Sequence, residues 1–551
     1  MKRAALAALV ALAVPANAAA EGFAVGVRQD ASFDRTAARV RVATGADVSA
    51  DRTLRAVYVR AADRAELARI PGISYVERLS ARRLAFVPND PLVTKQWYLS
   101  QIHAFDFWQQ LPPLSPIKVA VIDSGIAGDH PEFQGKILAA KSFVKTNPRR
   151  DSAGHGTFVA GEIAAATNNG IGIAGIGFPV QLLIAKVVRS DGTIPLKAEA
   201  SAIRWAVKRG ARVINLSLAG LRDPLAQRRD TFSPLEAAAI RYAVSKRVVV
   251  VAAVGNSDQA PRSPWNFAGY PAALPHVVGV SALEASGAVP EFSNRDAFFN
   301  DISAPGSDVF STLPRAMTAS AAGCVDQGYS DCGPFEFRRA EGTSFAAPMV
   351  SAAAALVLAV RPGLVPDQVT WILEHAADDI NPNTGCRSCP FGHDRLSGAG
   401  RVDVVGAEAT AVSGGFSRPD SREPNDDAGP ELSSTLWNRG FSTVNATVDF
   451  WEDPIDVYRI KLRKNQEVTV NLSGPQNADA QLSLWRPGTK TVRDLSPAAK
   501  KMRVAQSHRA GSSERISAYR ATPGGWYYIE VRVRSKNPAG GPYQLTYSRS
   551  S

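Results

Sequence analysis

The sequence predicts a three-layer α/β domain built on a mainly parallel sheet, preceded by a small α+β module and followed by a β-sandwich. Three observations carry that expectation. Short unbroken apolar runs bounded by polar or glycine residues recur mid-chain, at Val119–Ile122, Val213–Leu216 and Val248–Ala253. Such runs suit parallel strands covered on both faces. Helical stretches, Ala198–Lys208 and Pro234–Ser245, lie between them as crossover connections require. Beyond the middle of the chain the pattern changes to alternating strands, Val457–Leu462, Glu467–Leu472, Trp526–Val533 and Tyr543–Tyr547, separated by turn residues. With no helix evident among them, a sandwich is the natural reading.

Taken in order, residues 1–18 read as a secretory signal. Lys2 and Arg3 precede the apolar run Ala4–Val14, and Ala16-Asn17-Ala18 offers small residues for cleavage. The run is short for a bilayer span. Residues 19–88 hold a strand-like Leu54–Val59, a helical Arg64–Ile70, a Pro71-Gly72 turn and a second strand, Ile73–Val76, a mixture that suggests a small α+β module. Residues 89–410 form the main domain, whose site is expected at the carboxyl ends of its strands. Within it, Gly342–Val360 is uncharged, but Pro348 and its many Ala and Ser residues suit a helix buried in a soluble protein. Residues 411–429, rich in Ser, Gly, Pro and Asp, read as a linker, and 430–551 as the sandwich.

At 551 residues with 45% hydrophobic and 21% charged residues, the chain is globular, neither disordered nor fibrous. The net charge of +12 raises nucleic acid as a partner. From Trp437 onward there are 18 Lys or Arg against 9 Asp or Glu, yet they are spread over strands and loops with no nucleic-acid-binding motif. A solvated basic surface follows, with no nucleic-acid partner expected. Cys324, Cys332, Cys386 and Cys389 allow three pairings, of which two local disulfides suit an exported protein. Cys386-x-x-Cys389 with His393 nearby is the alternative zinc reading, but no second close cysteine pair completes it.

Three glycine-flanked polar residues end or begin apolar runs. Asp123 closes the strand in Val121-Ile-Asp-Ser-Gly125, His155 opens His155-Gly-Thr-Phe-Val-Ala-Gly161, and Ser344 lies in Gly342-Thr-Ser-Phe-Ala-Ala-Pro348 at the start of the long helix. A serine hydroxyl needs a neighbouring imidazole to remove its proton, and a carboxylate to hold that imidazole in the right tautomer. A helix N-terminus under the serine adds a favourable dipole and a backbone N–H for a developing oxyanion. Singly, each residue has an ordinary structural explanation as a turn, a helix start or an N-cap. Three such motifs in the order Asp, His, Ser do not.

On these motifs, residues 89–410 resemble the subtilisin-like serine peptidases, the subtilases. The resemblance implies endoproteolysis through an acyl-enzyme on protein or peptide substrates. It implies that Asn256, in Val254-Gly-Asn-Ser257, donates its side-chain N–H to the oxyanion. It implies that Ser217, Leu218 and Ala219 pair with an extended substrate, and that Ala253, Val254, Gly255 and Gly269 wall a pocket without an acid, which suits uncharged or apolar residues. Glycine is usual where Ala219 stands, so a narrower pocket is expected. A structural calcium ion is implied too, held by Glu132, Asn169 and the carbonyls of Thr167, Ile171 and Ile173, an all-oxygen set. The family more often has Asp at the first of these, and the loop here is one residue longer.

Residues 22–88, ending in Ile70-Pro-Gly-Ile-Ser-Tyr-Val-Glu77, resemble a subtilase propeptide, implying an autoprocessed zymogen inhibited by its own N-terminal segment. Asn89-Asp-Pro91 and Gln96-Trp97 resemble the mature N-terminal region. Glu423-Pro-Asn-Asp426, Asp453-Pro-Ile-Asp456-Val-Tyr458 and Gly541-Pro-Tyr543 resemble a bacterial pre-peptidase C-terminal domain, although the acidic spacing departs from the common pattern. The chain is thus expected to be an extracellular bacterial monomer with no stable membrane insertion. The competing expectations are an inert relative whose sandwich binds a surface, a sedolisin, against which His155-Gly-Thr157 argues, and a kexin-type enzyme, whose acidic pockets are not evident.

Overall fold

The computed structural model describes the chain except residues 1–21, 46–47, 61–63, 80–85, 107–110, 227, 316, 318–335, 415–421, 423–424, 426, 431–432, 437–440, 450–453, 477, 493–499, 510, 535–539 and 551. The expected signal segment, Cys324, Cys332, Glu423, Asp426 and Asp453 therefore lie outside the described residues. Two compact units form, Met1–Ala85 and Phe86–Ser551.

The first unit runs β1 (Phe23–Val27), α1 (Phe33–Thr44), β2 (Val48–Asp51), β3 (Ala56–Val59), α2 (Arg64–Ala68) and β4 (Ile73–Arg78). Its antiparallel sheet has the order β2-β3-β1-β4. Alternation along β1 and β3 points Val25, Val27, Val57 and Val59 into one core with Phe33 and Val40 of α1, Leu67 of α2 and Ile70. This is the α+β module the sequence predicts, with two more strands and one more helix than its pattern shows.

The second unit opens with α3 (Tyr98–Gln101) and then builds a wholly parallel seven-stranded sheet. Its strands are β5 (Ile117–Asp123), β6 (Ile137–Ser142), β7 (Val180–Lys186), β8 (Val213–Leu216), β9 (Val249–Ala253), β10 (Val277–Leu283) and β11 (Ile302–Pro305), in the order β11-β10-β9-β8-β5-β7-β6. Along β5, Val119 and Val121 enter one core while Ala120 and Ile122 enter the other. This two-sided burial is why the strands read as unbroken apolar runs. α4 (His155–Ala164) and α7 (Thr343–Val360) cover one face; α5 (Leu196–Lys208) and α6 (Pro234–Ser245) cover the other. α6 starts at Pro234 because Ser233 Oγ accepts the Glu236 N–H and proline suits the first helical turn. α7 is long and apolar enough to cross a membrane, with mean hydropathy 1.9, but 89% of it is buried. It is the core helix.

A hairpin, β12 (Val309–Thr312) with β13 (Phe337–Ala340), precedes α7; α8 (Pro366–Ala376) and α9 (Val404–Ser413) follow it. Cys386 and Cys389 form a disulfide packed with Leu283, Ile380 and Leu396. Both sulfurs are thereby committed, which corrects the zinc alternative. The C-terminal region carries β14 (Ser434–Leu436), β15 (Phe441–Asp449), β16 (Ile455–Leu462), β17 (Glu467–Ser473), β18 (Ala480–Trp485), β19 (Arg503–Ser507), β20 (Ser513–Arg520), β21 (Gly525–Val533) and β22 (Gly540–Arg549). They form a five-stranded sheet, β14-β16-β21-β18-β19, and a four-stranded sheet, β15-β22-β17-β20, around one apolar core. All pairs are antiparallel but β14–β16.

Candidate active site

The candidate residues converge where β5, β8 and β9 end and α4 and α7 begin. Asp123 is the last residue of β5, only 3% exposed. His155 is the first residue of α4, set there by Gly154, whose φ of 78° places it in the left-handed region that glycine enters without strain. The structure brings these two together. His155 Nδ1 lies 2.9 Å from both Asp123 carboxylate oxygens. Burial alone lowers the pKa of this imidazole, but the Asp123 charge and hydrogen bond more than offset it, and the net direction is up. Asp151 fixes the turn between them: its carboxylate accepts the Ser124 hydroxyl at 2.8 Å, the Gly154 N–H at 2.9 Å and the Thr157 hydroxyl at 2.6 Å.

Ser344 enters through α7. Gly342 precedes the helix at φ 145°, and a Cβ there would lie 3.3 Å from Asn256 Nδ2. The His155 ring packs on Phe345, centroids 5.4 Å apart, which sets the imidazole against the first turn of α7. The Ser344 hydroxyl itself donates to the Ser217 carbonyl at 3.2 Å. In this arrangement the hydroxyl faces Ser217 and not the imidazole.

The Ser344 carbonyl shows how the helix start is held. Its regular helical partner would be the N–H of residue 348, and Pro348 has none. The Ser217 hydroxyl fills the gap at 2.6 Å. Behind it, Asn215 Nδ2 donates to Ser217 Oγ at 2.9 Å, and Ser351 Oγ donates to Asn215 Oδ1 at 2.8 Å. Asn215 and Ser351 are fully buried, so each of these groups would be expensive to leave unpaired. Sequence reading missed both.

Asn256 follows β9. Its Oδ1 accepts the Thr343 N–H at 3.0 Å and the Thr343 hydroxyl at 2.9 Å. With the oxygen so held, the amide Nδ2 lies beside Gly342, 3.3 Å from where a Cβ on that residue would stand. Ser217, Leu218 and Ala219 continue β8 toward Gly220, which bridges Tyr270 in antiparallel fashion. Val254 and Gly269 are tied by a hydrogen bond of 2.8 Å, so the expected walls do meet.

The expected calcium residues come together in part. Glu132 is fully buried; its Oε1 accepts the Ile173 N–H at 2.7 Å and its Oε2 the Asn169 amide at 3.4 Å. Asn169 Oδ1 accepts the Ile171 N–H at 2.8 Å, while the Thr167 hydroxyl turns to the Gly175 carbonyl at 2.7 Å. Asp90, unnoticed in the sequence although it lies in the quoted Asn89-Asp-Pro91, is 1% exposed and accepts the Asn168 and Asn169 N–H groups at 2.7 and 3.2 Å. Burial, reinforced by the Asp90 charge, pushes Glu132 up to about 7. Among the described residues no cluster of three or more His, Cys, Asp or Glu side chains forms that could hold a metal ion. The loop gathers the buried Glu132 and Asp90 carboxylates and the Asn169 side chain, oxygen donors of the hard kind that suit calcium.

A parallel α/β domain that presents a buried carboxylate, an imidazole on it and a serine at a helix start defines a serine hydrolase. Residues 115–400 match the subtilase family, and the chain belongs to that family. Subtilisin amylosacchariticus of Bacillus subtilis subsp. amylosacchariticus is 33% identical over 314 residues, 57% of this chain and 72% of that protein. Thermitase of Thermoactinomyces vulgaris is 31% identical over 299 residues, 54% of this chain and 93% of that protein. A solved protease structure from Pseudoalteromonas arctica is 26% identical and covers 59% of this chain and 100% of its own, with a TM-score of 0.46. The protein is a serine endopeptidase.

Proposed function

We propose that this endopeptidase is exported, is made as a self-processing zymogen, and uses Asp123, His155 and Ser344 as its catalytic triad. The observation that carries the assignment is the grip of Asp123 on His155 Nδ1 beside the start of α7. Held there, the imidazole keeps its proton on Nδ1 and offers Nε2 as base. Ser344 Oγ attacks the substrate carbonyl carbon as its proton passes to His155 Nε2. The new oxyanion takes hydrogen bonds from Asn256 Nδ2 and the Ser344 N–H. The tetrahedral species then collapses, the peptide C–N bond breaks, and His155 returns the proton to the leaving amine. Water repeats the sequence on the acyl-enzyme, freeing the acid and Ser344. The raised pKa of His155 favours the imidazolium that forms in each half.

In this reading residues 1–18 direct export, 19–88 form a propeptide that inhibits until cleaved, 89–410 the peptidase, 411–429 a linker and 430–551 a pre-peptidase C-terminal-like sandwich. The enzyme acts as a monomer on extended protein segments that pair with Ser217–Gly220. Calcium, when bound, would be held by the Glu132 and Asp90 carboxylates, Asn169 and the carbonyls of Thr167, Ile171 and Ile173. Its charge would offset the two buried carboxylates and stiffen their loop.

Expression of the full chain and of Ser344→Ala under conditions where both fold tests the reading. The parent is expected to lose its N-terminal segment by mass spectrometry and to hydrolyse casein, while the variant stays unprocessed and inactive, a loss on the order of 10⁶-fold. A parent that remains whole and inactive, or a variant that processes itself, would sink it.

A further inference from the structure

Three backbone segments meet past the ends of β8 and β9: Ser217–Gly220, Ala253–Asn256 and the loop through Gly269. Their separations are fixed by main-chain bonds. Gly220 and Tyr270 exchange hydrogen bonds of 2.7 and 2.9 Å, Gly269 donates to the Val254 carbonyl at 2.8 Å, and Asn294 donates to the Gly255 carbonyl at 3.0 Å. Into the slot between the two glycine-faced walls projects the methyl of Ala219. A Cβ built on Gly255 would lie 3.0 Å from Ala219 Cβ, and one built on Gly269 would lie 3.2 Å from it. The methyl thus borders the space that each glycine leaves open, together with Asn294 Nδ2, 2.8 Å from a Cβ on Gly255, and the Gly220 carbonyl oxygen, 2.5 Å from one on Gly269. Carbon atoms pack at about 3.5–4.0 Å, so a further bulky side chain cannot share that slot without moving a wall.

The walls resist such movement. Arg222, three residues beyond Ala219, is 7% exposed and pairs with Asp296 at 2.7 Å. The same Asp296 oxygen accepts the Ala268 N–H at 3.0 Å, next to Gly269. The guanidinium lies 4.8 Å over the Phe299 ring and 5.5 Å over Phe267, and Trp265 Nε1 donates to the Arg222 carbonyl at 3.0 Å. A buried ion pair with aromatic packing on both sides thus clamps the segment after Ala219 to the segment before Gly269. Widening the slot means breaking that clamp.

We infer that Ala219 is a specificity-determining residue: its methyl, held between Gly255 and Gly269, restricts cleavage to bonds following small uncharged residues, namely glycine, alanine or serine. The inference rests on the proposal that Ser217–Gly220 pairs with the substrate, and it narrows the apolar preference expected from sequence. One methylene in an apolar pocket changes discrimination by about 10–200-fold. A phenylalanine preceding the bond should cost at least about 10²-fold in kcat/KM against alanine.

The test uses the processed full-length enzyme and matched peptide p-nitroanilides ending in alanine, leucine or phenylalanine. The expected order is alanine above leucine above phenylalanine. Ala219→Gly should raise the phenylalanine-to-alanine ratio by about 10–10²-fold, and Ala219→Val should depress cleavage after alanine as well. A parent that cuts after phenylalanine as readily as after alanine overturns the inference without need of any variant; so does an Ala219→Gly ratio equal to the parent's. Fluorophosphonate labelling of Ser344 in the same samples separates the failures. Labelled enzyme with a flat profile overturns the pocket inference alone, whereas protein that neither labels nor cleaves overturns the triad reading and this inference with it.

Discussion

On one face of the parallel sheet, the buried carboxylate Asp123 meets an imidazole on α4, and a carbonyl freed by Pro348 on α7 meets a serine hydroxyl. On the other face, Glu199 at the start of α5 and Glu236 at the start of α6 meet each other. Both are almost wholly buried, at 3% and 4% exposure, and burial plus the neighbouring carboxylate pushes Glu236 up to about 9. Two hydrogen-bonded acids in a low-dielectric interface cannot both ionise, so the pair retains a proton that a lone glutamate would lose. The contrast teaches where function sits. A buried charge beside a partner that can change its protonation is poised to move a proton; one beside its own kind stores the cost of burial and does no chemistry. Glu132 and Asp90 are a third case, two buried acids that accept backbone N–H groups of one loop.

The comparison breaks first on its active face. Asn256→Ala should lower kcat by about 10²–10³, the range subtilisin itself shows for its side-chain donor, with KM little changed. Steady-state kinetics on one peptide would reveal a pure KM effect, which would make Asn256 a binding residue instead. Chelation comes next in size. If calcium joins Glu132 and Asp90, removing it from a site held at about 100 times its Kd should cost about 2.7 kcal/mol, seen as a lower Tm with EDTA and restored by added calcium. An unmoved Tm would assign those carboxylates to structure alone.

The smallest effect is expected on the opposite face. Glu236 is raised from its ordinary 4.5 to about 9, so it folds protonated. Stability relative to a permanently neutral side chain is full below 4.5 and declines as pH rises toward 9. Glu236→Gln should therefore match the parent near pH 4 and exceed it by about 1–2 kcal/mol at pH 8. Thermal unfolding of both in a Ser344→Ala background, where autolysis is absent, reads this directly. A gain independent of pH would mean that packing, not the shared proton, separates the two.

Much of this was legible in the chain because it is local. The strand Val213–Leu216 and the helix Pro234–Ser245 fall where their patterns place them, since an apolar run and a Ser-Pro start act over a few residues. α1 was not legible: Phe33–Thr44 intersperses arginines with alanine and valine, and its buried stripe, Phe33, Thr36 and Val40, is thin. The sandwich showed as strands, but not that β14 pairs in parallel with β16, because a pairing that skips over β15 leaves no local mark.

By itself the sequence determined which side chains could carry the chemistry. Asp123, His155, Ser344 and Asn256 each sit in a short motif at the end of an apolar run, and motif and element boundary are both properties of near neighbours. Only the tertiary structure decided what those residues touch. It turns the Ser344 hydroxyl to Ser217, fixes the Asn256 oxygen on Thr343, joins Arg222 to Asp296 across 74 residues, and sets Asp90 on a loop 78 residues away. It also lodges the Ala219 methyl between two glycines. These pairings depend on which loops the sheet order brings side by side, and that is settled by packing of the whole core rather than by any stretch of chain.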